Sequence, residues 1–172
     1  MAERQWTDDS DRLLRDWFQR ARHSQHSHHE QGKIFKRRNY LLAVPVVVIN
    51  TVLGTTAFAS INSQAGTTQK IWFGVLSMVA AVLAALQVYF KYAEKAEQHK
   101  HLGAQYGNVR RGIEQSIALV PSDRGDVKVV LDEFRQQFDA LGTEGDVVSR
   151  RIFERTVKML AERDEARAAG GV

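Results

Sequence analysis

The 172-residue sequence contains no cysteine and only two prolines, Pro45 and Pro121. Without cysteine there is no disulfide framework, no thiolate zinc site and no thiol nucleophile. That lack fits a cytoplasmic body. With so few prolines, long stretches run free of helix breakers. No segment alternates apolar and polar residues as a half-buried strand would, and no internal repeat is evident, so an all-α chain is expected. Catalytic signatures are missing too: no glycine-rich phosphate loop, no nucleophile motif and no His-Glu-x-x-His. No catalytic residue and no cofactor is therefore assigned, and the chain is read as not an enzyme.

The most telling absence is of charge. The chain carries 24 Lys and Arg and 20 Asp and Glu, yet none lies in Tyr40–Ser60 or Ile71–Phe90. Each block is close to the ~20 residues with which a helix crosses ~30 Å of hydrocarbon. Residues 61–70 between them suit a turn back across the bilayer. Buried helices of a soluble domain can also be apolar all round. Two adjacent spans of this length with all charge excluded favour the membrane. The organisation expected is a two-span hairpin over 40–90 (spans 40–60 and 71–90), preceded by a cytoplasmic approach over 1–39. A cytoplasmic stem and helical bundle follow over 91–172.

Charge also orients the hairpin. Lys33, Lys36, Arg37 and Arg38 precede the first span, Lys91, Lys95 and Lys100 follow the second, and the connecting loop holds only Lys70. Positive charge stays cytoplasmic, so both termini are expected inside. Tyr40, Tyr89 and Tyr92 mark the inner interface and Trp72 the outer one. The polar first 39 residues do not read as a signal peptide. The net charge of +4 is modest and concentrated beside the membrane, where it meets anionic lipid. Nucleic-acid binding would need a broader basic face with motif support, and none is present.

In the polar segments, Leu13, Leu14, Trp17, Phe18 and Ala21 fall at helical spacing, with Thr7 or Ser10 as N-cap and a break expected at Gly32. After the second span, Tyr92, Ala96, His99, Leu102, Tyr106, Val109, Ile113, Ile117 and Val120 form one stripe. A continuous helix from Ile71 to Leu119, on the order of 70 Å long, is expected. Gly103, Gly107 and Gly112 weaken it or mark close helix approach. Pro121, Ser122 and Asp123 are expected to end it and cap the next helix, whose stripe is Val127, Val130, Leu131, Phe134, Phe138 and Leu141. Residues 142–145 read as a turn. Ser149 caps a last helix with Ile152, Phe153, Thr156, Val157 and Leu160 on one face, and 168–172 read as a frayed tail.

His23, His26, His28 and His29 are the densest polar cluster, but no carboxylate or cysteine completes a zinc set, so no metal site is assigned. Winding the first span at ~100° per residue gathers Asn50, Thr51, Gly54 and Thr55 with Ala43, Val47 and Phe58. These polar groups should face inward, either bonding across the hairpin or lining a pore. In the second span Gly74, Ser77, Ala81, Ala84 and Ala85 share a small face suited to close packing in lipid.

The short helix with Trp17, the charged approach and the hairpin lead into Tyr92-Ala-Glu-Lys-Ala-Glu-Gln-His99, Tyr106 and Arg110-Arg-Gly-Ile-Glu114. This order resembles the SLATT domain, a two-transmembrane effector associated with SMODS nucleotidyltransferases and SLOG sensors in bacterial conflict systems. The resemblance covers about Trp17–Leu141 and implies an oligomeric, pore-forming ion-channel effector of antiphage (antiviral) defence in the bacterial inner membrane. Its partners would be the lipid bilayer, further copies of itself (a homo-oligomer), and a sensor or nucleotidyltransferase system signalling often by cyclic nucleotide. His99, Tyr106, Arg110, Ile113 and Glu114 of the stem then become assembly candidates. A non-conducting membrane scaffold and a holin-like protein are the competing functions.

Overall fold

The structure, a computed structural model, describes residues 5–59 and 66–170, the backbone alone at 57–59. Of the turn expected over residues 61–70, residues 61–65 lie outside the described residues, as do the last two residues of the tail, whereas 67–70 are already helical. Five α-helices follow in order: α1 Asp8–Ala59, α2 Thr67–Phe90, α3 Tyr92–Ala118, α4 Val127–Glu144 and α5 Arg150–Ala169. No strand occurs among the described residues. The chain is all-α, with two helices long and apolar enough to form a two-span hairpin.

Thr7 caps α1, as expected, and it does so reciprocally with Ser10. The Thr7 amide donates to Ser10 Oγ at 2.9 Å, and the Ser10 amide donates to Thr7 Oγ1 at 3.4 Å. Asp8, Asp9 and Asp11 place negative charge in the first turn, where the helix dipole favours it. The expected break at Gly32 is absent, and α1 runs unbroken through it. A lone glycine costs a helix only ~1 kcal/mol, and Gly32 is itself buried.

Two compact units result. One comprises Met1–Gly32 with Glu97–Val172, the other Lys33–Ala96. In the first, helical unit, Leu14 of α1, Leu102, Val109 and Ile113 of α3, and Phe134 and Leu141 of α4 form the core. Trp17, Tyr106 and Phe138 pack against it, and Trp17 meets Phe138 edge to face at 6.0 Å. Leu160 of α5 is also buried. Each such side chain contributes roughly 1.5–3 kcal/mol by leaving water. The stem stripe from Leu102 to Ile117 is thus covered by the chain's own helices, while Val120 at its end is exposed.

Three local expectations are corrected. Pro121–Asp123 forms a 3-10 turn, and Asp126 rather than Ser122 or Asp123 caps α4, accepting from the amides of Lys128 and Val129. Residues 142–144 remain helical, so the turn starts only at Gly145. Between helices α3 and α4, Arg124 is the clasp. It pairs with Asp11, donates to the carbonyls of Leu119 and Ile117 at 2.8 and 3.1 Å, and lies over the Trp6 ring.

The third correction is in the stem. The unbroken helix expected from Ile71 stops for one residue at Lys91, which adopts the left-handed conformation with φ 49° and ψ 39°. Neither glycine nor proline announces it. Hydrogen bonds from Lys91 N to Gln87 O and from Lys95 N to Lys91 O hold both flanks.

Candidate functional site

Within the Lys33–Ala96 unit, the covered positions of the two spans keep a seven-residue spacing. On α1 they include Phe35, Asn39, Leu42, Val46, Ile49 and Leu53; on α2 they include Phe73, Leu76, Ala80, Leu83, Gln87 and Phe90. Alternating steps of three and four are the signature of knobs-into-holes packing. Ala80, only 5% exposed, is where the seam is tightest. At one end of the seam sits an aromatic and cationic cluster. Phe35 stacks on Tyr92 at 5.9 Å and Phe90 on Tyr92 at 5.1 Å, with Arg38 over both Phe35 and Tyr92.

The polar face of the first span does not meet this seam. Asn50, Thr51, Gly54 and Thr55 are exposed. Thr51 Oγ1 donates to Val47 O at 2.8 Å and Thr55 Oγ1 to Thr51 O at 3.0 Å, so both hydroxyls are satisfied by their own helix. Of the two arrangements expected, bonding across the hairpin is thus not the one these two threonines adopt. Hydroxyls one turn ahead of a carbonyl find it before they find a neighbouring helix. The small face of α2 also turns away from the seam. Gly74, Ser77, Ala81 and Ala85 are exposed, no atom would meet a Cβ at Gly74, and only Ala84 is half-buried.

Apolar exposure is extensive. Of the most apolar windows of the two spanning helices, 0% and 6% of residues are buried within the chain. A soluble core helix would be mostly covered, so the soluble alternative fails on this measure. Val47, Met78, Val88 and their neighbours need an apolar surround, which hydrocarbon supplies.

In the helical unit the stem residues come together differently from expectation. His99 and Ile113 are 1% and 0% exposed inside the chain, so they shape this unit and offer no surface for assembly. Tyr106 is half-buried and stacks on His28 at 5.5 Å. Arg110 and Glu114 line a separate cavity further along α3. His28 Nδ1 lies 2.9 Å from His99 Nδ1, one ring donating and the other accepting. Two imidazoliums cannot share that contact. Burial, then His99 and His29, push the His28 pKa down to about 4. Burial lowers His99 as well, against the opposing pull of Asp146. A cavity of about 490 Å³ adjoins His28, lined by Ser24, Ser27, Tyr106 and Asp146 among others.

This pair was not foreseen, although a signal existed. Stepping the α1 stripe by sevens from Leu14 through Ala21 reaches His28, and His99 already stands on the α3 stripe. Glycines admit the close approach: a Cβ at Gly103 would lie 3.0 Å from the His29 ring, and one at Gly107 2.8 Å from Gln25 Nε2.

Residues 11–155 match the SMODS and SLOG-associating 2TM effector domain family 4. The chain belongs to this family. The match runs past Leu141, so the SLATT domain takes in the start of α5 as well as the hairpin and stem. Membership makes it a membrane effector domain of a defence system associated with SMODS and SLOG signalling. No curated protein and no solved structure matches it.

Proposed function

We propose that this SLATT chain assembles as a homo-oligomer in the bacterial inner membrane and opens an ion-conducting path when its partner system signals infection. The observation that carries the reading is the outward placement of Asn50, whose side chain has no hydrogen bond among the described residues, beside Gly54 on a mostly apolar span whose threonines bond to their own helix. A bare amide facing hydrocarbon is costly, whereas a neighbouring subunit or a water-filled path satisfies it. One hairpin cannot enclose such a path, so several must. The outward small face of α2, with Gly74, Ser77, Ala81 and Ala85, allows neighbouring helices to approach closely. Basic flanks at Lys33–Arg38 and Lys91–Lys100 support cytoplasmic termini. The lack of catalytic motifs supports action by permeabilisation rather than turnover.

The test is dye-reported depolarisation in cells that co-express the natural activating partner. Wild type should depolarise the membrane without depleting a metabolite. An Asn50→Leu, Thr55→Leu double variant should insert and assemble but carry much less ion flux. Full depolarisation by that variant removes both residues from the path. A wild type that never depolarises favours the non-conducting scaffold.

A further inference from the structure

Four guanidiniums from three helices converge on one cavity of the helical unit: Arg22 of α1, Arg110 of α3, and Arg163 and Arg167 of α5. The cavity measures about 360 Å³, within the range of small-ligand sites. Its two carboxylates are Asp164 and Glu114. Asp164 is spent on Arg22, whose two terminal nitrogens donate to it at 2.6 and 2.7 Å. Nothing equivalent serves the other three arginines. Arg110, Arg163 and Arg167 make no hydrogen bond or ion pair among the described residues, and the Nε of half-buried Arg110 is shut away from solvent without an acceptor. Asp164 also draws Arg167 electrostatically, yet four guanidiniums against two carboxylates leave positive charge in excess, and a buried N–H without a partner costs about 1–3 kcal/mol.

An anion in the cavity would relieve the repulsion. Guanidinium forks match the paired oxygens of phosphate, and several forks around one group favour a doubly charged species. His26 adds a further ring at the rim, its Nδ1 already engaged by Arg22 O. Phe18 and Leu160 supply apolar wall beside the charges, room for more than a bare ion. We propose that this cavity binds a phosphate group carried by a phosphorylated small molecule or a phospholipid headgroup, held chiefly by Arg110, Arg163 and Arg167. The inference is independent of whether the hairpin conducts.

The test uses the full chain in a phosphate-free maltoside detergent, titrated calorimetrically with inorganic pyrophosphate at 150 mM NaCl. Saturable binding near one per chain is expected. Arg110→Gln and Arg163→Gln should each weaken it at least tenfold, while Arg135→Gln, distant on α4, should leave it unchanged. Arg163 is exposed, so its variant folds even if Arg110→Gln does not. Phosphatidic acid added to the micelles distinguishes the source. Suppression of pyrophosphate binding by phosphatidic acid and not by phosphatidylcholine assigns a headgroup; persistence assigns a free phosphate ester. The proposal is overturned if wild type shows no saturable binding, or if Arg135→Gln weakens it as much as Arg163→Gln does.

Discussion

His28 shows how one residue can couple the folded state to pH. The residue is 8% exposed and its pKa is pushed down to about 4, below the ordinary 6.5. Between those values the unfolded chain holds a proton that the folded chain does not. Stability is therefore complete above pH 6.5, falls as pH drops through the window, and levels off below 4. The loss should reach on the order of 3 kcal/mol. Urea unfolding followed by tryptophan fluorescence at pH 7, 5.5 and 4.5 measures it, with His28→Gln as reference. The variant should lose less stability across the window than wild type, because carboxylate titration is common to both. Parallel curves for the two would separate the pair from the pH response.

At the level of the element, Lys91 separates α2 from α3. In a regular helix, residues two apart point nearly opposite ways and cannot touch. Phe90 and Tyr92 nevertheless stack at 5.1 Å with planes 10° apart, which the left-handed residue between them makes possible. A left-handed lysine costs about 1–2 kcal/mol, and the contacts around Phe35, Phe90 and Tyr92 offset it. The end of α4 supplies a sharper test. A Cβ at Gly145 would fall 2.1 Å from Leu102 Cδ1, inside the core, whereas one at Gly142 would meet nothing. Gly145→Ala should therefore destabilise the helical unit by about 1–3 kcal/mol through overpacking. Gly142→Ala, on an open helical face, should gain up to about 1 kcal/mol. Equilibrium denaturation reads both, and the same sign for the two would contradict the placement of Leu102.

For the whole molecule the questions are orientation and assembly. The cysteine-free chain makes single-cysteine reporters clean. Gln64→Cys should react with an impermeant thiol reagent in intact cells and Ser122→Cys should not; the reverse pattern would invert the topology. Assembly separates from hairpin closure because the two faces of α2 differ. Ala81→Leu, on the outward small face, should shift the detergent-solubilised protein toward smaller species by size exclusion with light scattering. Ala80→Leu should instead disturb the seam within one chain, and Val79→Leu should change neither. Indistinguishable oligomers for Ala81→Leu and Val79→Leu would remove the small face from assembly.

Composition and periodicity alone gave the all-helical fold, the two spans and most core stripes, because each rests on local contrast between apolar and charged positions. Leu102, Val109, Ile113, Phe134, Leu141 and Leu160 were legible for that reason. The hairpin seam was not, since both faces of a membrane helix are apolar and contrast disappears. Side-chain size and register chose Ala80, Leu83 and Gln87 over the small-residue face. The pairing of His28 with His99 joins positions far apart in the chain, and the left-handed turn at Lys91 arises from aromatic contacts rather than from a breaker in the sequence. The convergence of Arg22, Arg110 and Arg163 likewise exists only once α1, α3 and α5 are packed. Each of those arginines read alone is an ordinary solvated charge. Membrane insertion is thus written in local hydropathy, while every site that joins separate helices depends on tertiary packing, because only packing brings charges remote in sequence within reach of one another.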